Sequence, residues 1–108
     1  MLHFEPATTD PPPMQTYIDA ARELLEEELP NEPDALRDMY LLLVLTLGES
    51  TTTEDVHDAW AVWSSRANPG HNSLVPFSRL EPAVARLDIP YRDAIHRTAQ
   101  RLSVPQPS

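Results

Sequence analysis

Residues 51–91 read TTTEDVHDAWAVWSSRANPGHNSLVPFSRLEPAVARLDIPY, and this stretch decides the fold. Val56, Trp60, Trp63 and Ala67 recur at i, i+4, i+7 and i+11, the spacing of one face of an α-helix. The pattern predicts a helix over 53–67 with both tryptophans of the chain as core anchors, and it puts His57 and Asp58 on the exposed flank. Thr51 and Glu54 have the spacing of a capping box. Asn68-Pro69-Gly70 ends the helix with turn chemistry. In Leu74-Val75-Pro76-Phe77 the proline keeps Val75 out of the helical region, so an extended segment is expected to pin Leu74 and Phe77 into the core.

The flanking sequence is helical in the same sense. A first helix is expected over 13–29, with Tyr17, Ile18, Ala21, Leu24 and Leu25 inward and Pro30 as its stop. A second, over 33–47, has almost no polar face after Asp38 and reads as the central core helix, with Leu43 fully buried. Gly48 ends it. A short helix over 82–87 precedes a last one over 89–102, capped by Asp88, whose inner face is Tyr91, Ala94, Ile95, Thr98 and Leu102. No strand-like alternation occurs. The fold class is all-α: a small orthogonal bundle of four main helices with an extended LVPF segment between the third and fourth. A mobile arm (1–12), one domain (13–102) and a fraying tail (103–108) complete the organisation.

The chain has 108 residues, 17 acids, eight arginines, no lysine and no cysteine. Without cysteine there is neither a disulfide nor a thiolate metal site. No apolar run approaches a bilayer span and no signal peptide is recognisable, so no membrane role and a cytosolic, cytoplasmic setting are expected. The charge is −9 and uneven. Fourteen acids and two arginines fall in residues 1–58; three acids and six arginines fall in 59–108. Such an acidic chain repels phosphate backbones, so no nucleic-acid partner is expected. The asymmetry allows head-to-tail contact between an acidic and a basic face, including self-association. Glu26-Glu27-Glu28 closes the first helix at the negative end of its dipole and is a candidate docking surface for a protein partner; a solvated face is the plainer reading. The exclusive use of arginine suggests GC-rich codons, and with them an actinobacterial or phage source.

No catalytic constellation is recognisable. No serine sits in a G-x-S-x-G elbow, and the only glycines are Gly48 and Gly70, so a phosphate loop is absent. His3, His57, His71 and His96 are scattered rather than spaced as metal ligands. The expectation is a non-enzymatic chain with no cofactor and no metal. His71, in a tight loop beside the aromatic helix, is the polar residue best placed to read a ligand; a hydrogen bond from its ring to a main-chain carbonyl is the structural alternative.

His57-Asp58-Ala59-Trp60, then His71-Asn72-Ser73-Leu74-Val75-Pro76-Phe77, Leu80, Asp88 and Tyr91-Arg92, resemble the RyR domain, the repeat of ryanodine receptors. The resemblance spans residues 51–95, with Asn72 where the family has Pro and Phe77 where it has Tyr. It implies a helical module without an established catalytic role, concerned with interaction or with sensing nucleotide-like signals. Two functions follow. The first is an accessory interaction module, phage-encoded, acting on a host or self protein partner. The alternative is a sensor with a small-molecule pocket near Trp60, Trp63, His71 and Tyr91, with Arg92 available for an anion.

Overall fold

The computed structural model describes residues 16–103. Among them there are helices and turns but no strands: α1 (Tyr17–Glu28), α2 (Asp34–Thr46), α3 (Thr53–Ala67), the short α4 (Pro82–Ala85) and α5 (Ile89–Ser103). Single 3-10 turns occupy Gly48–Ser50, Phe77–Arg79 and Arg86–Asp88. The fold is a small all-α bundle, as the periodicity requires. The expected arm, the first turn at 13–15 and the tail beyond Ser103 lie outside the described residues.

Local chemistry sets the helix starts. Thr16 caps α1: its hydroxyl accepts from the Asp19 N–H at 3.1 Å and the Asp19 carboxylate accepts from the Thr16 N–H at 3.2 Å. The same reciprocal box opens α3, on Thr52 and Asp55 rather than Thr51 and Glu54. The shift by one residue has a cause. Thr51 is buried, and its carbonyl accepts a 2.7 Å hydrogen bond from His96 Nε2 on α5, so it anchors the connection instead of capping the helix. Gly48 takes φ +55 after α2, in the left-handed region where a side chain is strained, and its 3-10 turn packs on α5. Asp88 does not begin α5 as a free cap; the 3-10 turn Arg86–Asp88 runs straight into it.

The core is built where α2 and α5 meet α1 and α3. It contains Ala21 and Leu25 from α1, Leu36, Tyr40, Leu41 and Val44 from α2, Val56 and Ala59 from α3, and Ile95 from α5. The predicted inner face of α5 is correct at Ala94, Ile95 and Thr98. Leu43 is not fully buried but half-buried. At 3.6 residues per turn, Leu36, Arg37, Tyr40, Leu41 and Val44 form the inward arc, and Leu43 falls at its edge. Leu42, on the opposite face, is 55% exposed. The helix is apolar nearly all round in sequence, yet covered on one side only.

One charged side chain belongs to the interior. Arg37 is 7% exposed. Its Nη1 donates to the main-chain carbonyls of Leu29 at 3.1 Å and Glu32 at 2.9 Å, and its Nη2 meets the carboxylates of Glu26 and Asp34. Leu29 and Glu32 bracket the turn from α1 to α2, where Pro30 and Pro33 remove two main-chain donors. The guanidinium, with five donors in a planar fork, supplies partners that the turn lacks.

Arg37→Met keeps the aliphatic stem and deletes the fork. It is expected to lower unfolding stability by roughly 2–4 kcal/mol in urea titration, because two carbonyls lose a charged donor. A loss below about 0.5 kcal/mol, the range of ordinary surface changes, would show that water serves those carbonyls equally well.

Candidate functional site

The turn that Arg37 holds forms one wall of a cavity of about 350 Å³. Glu32 and Pro33 come from that turn, Leu36 and Tyr40 from α2, and His57, Trp60 and Trp63 from α3. His71 and Ser73 come from the loop after α3, Leu80, Val84, Leu87 and Asp88 from the region of α4, and Tyr91 from α5. Every long helix except α1 contributes a side chain. Pockets of this size, apolar with a few convergent polar groups, are the usual form of small-molecule sites.

Two contacts fix the walls. His57 is 3% exposed, and its Nε2 lies 2.6 Å from the Val75 carbonyl. A carbonyl only accepts, so Nε2 carries the proton. This bond fastens the LVP segment to α3, and the ring packs against Trp60 and Phe77 with centroids 5.7 and 6.0 Å apart. On the far side, the Tyr91 hydroxyl donates to Glu32 Oε1 at 2.9 Å, joining α5 to the α1–α2 turn across 59 positions of sequence. Tyr91 also stacks, tilted, on Tyr40 at 5.5 Å.

Four of the five residues nominated as ligand-binding therefore come together: Trp60, Trp63, His71 and Tyr91 all line the cavity. The tryptophans are half-buried rather than core anchors, and the stripe they share ends at an exposed Ala67. His71 is exposed at the rim, edge-on to Trp60 at 4.9 Å, and its Nδ1 accepts from the Ser73 N–H at 3.0 Å instead of binding a carbonyl. Arg92 is the exception; it pairs with its neighbour Asp93 at 2.9 Å and does not line the cavity. Leu74 and Phe77 are half-buried, with Phe77 inside a 3-10 turn, so only Leu74–Pro76 lies outside helical geometry. His57 is not on an exposed flank at all.

Glu26, Glu27 and Glu28 lie elsewhere, and each is met within the chain. Arg37 reaches Glu26 at 3.3 Å, Arg101 reaches Glu27 at 3.1 Å and Arg97 reaches Glu28 at 2.8 Å. The acidic and basic halves of the sequence thus face each other across α1 and α5.

Sequence reasoning missed Glu32 and Asp88 as pocket residues. Burial raises the Asp88 carboxyl above its ordinary value of 3.8, with the His57 charge acting in the opposite sense. Burial, the hydrogen bond to Glu32 and the charges of Glu32 and Asp88 push Tyr91 up to about 12. Burial likewise raises Tyr40, with Tyr91, Glu32 and Asp88 adding to it. Both carboxylates therefore act on the same two phenols. Among the described residues no group of three or more His, Asp or Glu is arranged to hold a metal ion. None of the helices there is long and apolar enough to cross a membrane.

A family model matches residues 16–100, described as a domain of unknown function, DUF7701. The chain belongs to the DUF7701 family. No curated protein and no solved structure matches it. The RyR resemblance is thereby corrected: the DUF7701 match runs through most of the chain, α1 and α2 included, and no RyR model matches. In this member of DUF7701 the H-x-x-L-V-P-F run serves as a loop tied down by His57. The nucleotide-like signals that the resemblance implied lose their support with it.

Asp88→Asn removes the charge and keeps the shape. A carboxyl whose folded pKa is raised favours folding when protonated; that advantage is full below the ordinary 3.8 and lost as pH rises through the folded value. The variant is therefore expected to melt above the parent at neutral pH and level with it at pH below about 3.8, as thermal unfolding across pH would show. A variant less stable at neutral pH would mean that the carboxylate holds the fold together.

Proposed function

We propose that this protein is a non-enzymatic binding module that takes a small ligand into the cavity between α2, α3 and α5. The observation that carries the reading is the convergence of Trp60, Trp63, His71 and Tyr91, nominated from sequence, on one pocket with a few polar groups in its lining. A binding role fits the chemistry of the lining better than a reaction does. Ser73 is the only hydroxyl nucleophile there apart from the two phenols, and no side-chain hydrogen bond links it to a base.

The exposed leucines support a second reading, an interaction module with a protein partner or self-association. Leu42, Leu45 and Leu47 on and after α2, with Val62 on α3, stand open to solvent. Exposed apolar side chains in number mark contact surfaces when they are contiguous. The two readings are compatible, since the pocket uses none of these residues.

A thermal-shift screen of fragments distinguishes a ligand site from an idle cleft. A compound at a hundred times its Kd adds roughly 2.7 kcal/mol of stability. Leu87 lines the cavity but is 65% exposed, so Leu87→Trp is expected to fill the space while changing unliganded stability by less than about 0.5 kcal/mol. Hits should lose their shift in this variant. Hits that stabilise Leu87→Trp as well as the parent would place binding elsewhere and overturn the reading.

A further inference from the structure

The charge inside the pocket is one-sided, and the imbalance specifies a ligand. Glu32 and Asp88 are its two carboxylates, and no arginine lines it. The guanidinium of Arg37, on the turn that carries Glu32, is engaged elsewhere: its Nη1 donates to main-chain carbonyls and its Nη2 meets Glu26 and Asp34. Arg92, one residue beyond Tyr91, is paired to Asp93. Among the described residues neither Glu32 nor Asp88 is in an ion pair, and the Glu32 carboxylate accepts only the Tyr91 hydroxyl. The other lining groups are two tryptophans, two tyrosines, two histidines and Ser73, with aliphatic side chains. A half-buried carboxylate without a cation is a cost to the fold, and it is relieved when a cation arrives. Aromatic faces attract cations through their quadrupoles, tryptophan most strongly. An anionic ligand such as a phosphate ester would meet two carboxylates and no fixed positive charge.

We propose that the ligand of this pocket is an organic cation, an ammonium or guanidinium group on a small apolar body, its charge read by Glu32 and Asp88 and its body held by Trp60, Trp63 and Tyr91. This rests on the reading of the cavity as a ligand site. It accounts for the aromatic lining and the uncompensated carboxylates by one ligand.

The test varies charge at constant shape. 2-Phenylethylamine, 2-phenylethanol and phenylacetate share a ring and a short chain and carry positive, zero and negative charge. Both tryptophans of the chain line the pocket, so intrinsic fluorescence of the full chain reports binding directly. The amine is expected to bind about ten-fold tighter than the alcohol or better, with phenylacetate weakest. Asp88→Asn and Glu32→Gln should each lower amine affinity about ten-fold and leave the alcohol unchanged. Circular dichroism of both variants checks that they remain folded. An alcohol or phenylacetate that binds as tightly as the amine would overturn the cation inference and leave the ligand site standing. An amine preference that survives both substitutions would overturn it too, since the discrimination would come from another group. If none of the three compounds changes the fluorescence at millimolar concentration, the ligand-site reading and the cation inference fall together.

Discussion

The buried guanidinium of Arg37 is the constraint on which the rest of the structure depends. The turn between α1 and α2 contains two prolines and ends one helix while starting another, and the carbonyls of Leu29 and Glu32 in it have no intrahelical donor. Arg37 reaches back from the first turn of α2 to two of them. The turn so fixed carries Glu32, and Glu32 in turn accepts from Tyr91. One chain of contacts thus runs from the α1–α2 turn to α5 and closes the pocket on that side. A second part of the lining hangs on a similar device. His57 gives a single N–H to the Val75 carbonyl, in a segment where Pro76 prevents helical pairing. In both places a side chain replaces the main-chain partner that proline-rich sequence withholds.

Most of the fold was legible from sequence because it rests on local signals. Helix α3 has the predicted limits, and α2 and α5 agree within a residue or so, since their apolar period and their terminating Gly and Pro are read over short windows. The errors come from long-range contacts. Thr51 looks like a cap until His96, 45 positions away, takes its carbonyl. His57 looks exposed by helical phase until the loop at Val75 folds over it. Leu43 looks central because α2 is apolar on all sides, and only the placement of α1, α3 and α5 shows which arc is covered. The RyR resemblance was built on a run whose spacing is local as well, and a short run shared by two loops is weaker evidence than a match along the whole bundle.

The pocket was half legible for the same reason. Trp60, Trp63, His71 and Tyr91 stand out by residue type, and aromatic side chains converge wherever a small bundle is closed. The carboxylates do not stand out. Glu32 is one acid among fourteen in its half of the chain, and Asp88 fits the role of a helix cap. What separates them from the others is that they line the cavity without an ion-pair partner, a property of the folded chain alone. The Glu26-Glu27-Glu28 run shows the converse. It is the most conspicuous acidic feature of the sequence, and α1 and α5 pack so that Arg101 and Arg97 meet it, with Arg37 reaching Glu26. These are mostly exposed pairs, each contributing well under about 1 kcal/mol, so they orient the helices more than they stabilise them.

The distribution of arginine makes the final point about the site. Eight arginines face 17 acids, so cations are scarce and their placement is informative. Those of α2 and α5 gather on the α1 side of the bundle: Arg37, Arg97 and Arg101 on the glutamate run, with Arg22 bridging Asp19 and Asp38. Arg92, next to Tyr91, is occupied by Asp93, and Arg79 and Arg86, next to Leu80 and Leu87, do not line the pocket. A fold selected only for stability would place one of these cations beside Asp88, whose burial raises its pKa and so opposes folding at neutral pH. Polar groups left uncompensated in a cleft are the features by which sites that bind something are told from sites that merely pack. The Asp88 carboxylate that weakens the unliganded fold is then one of the groups that would hold a cation in it.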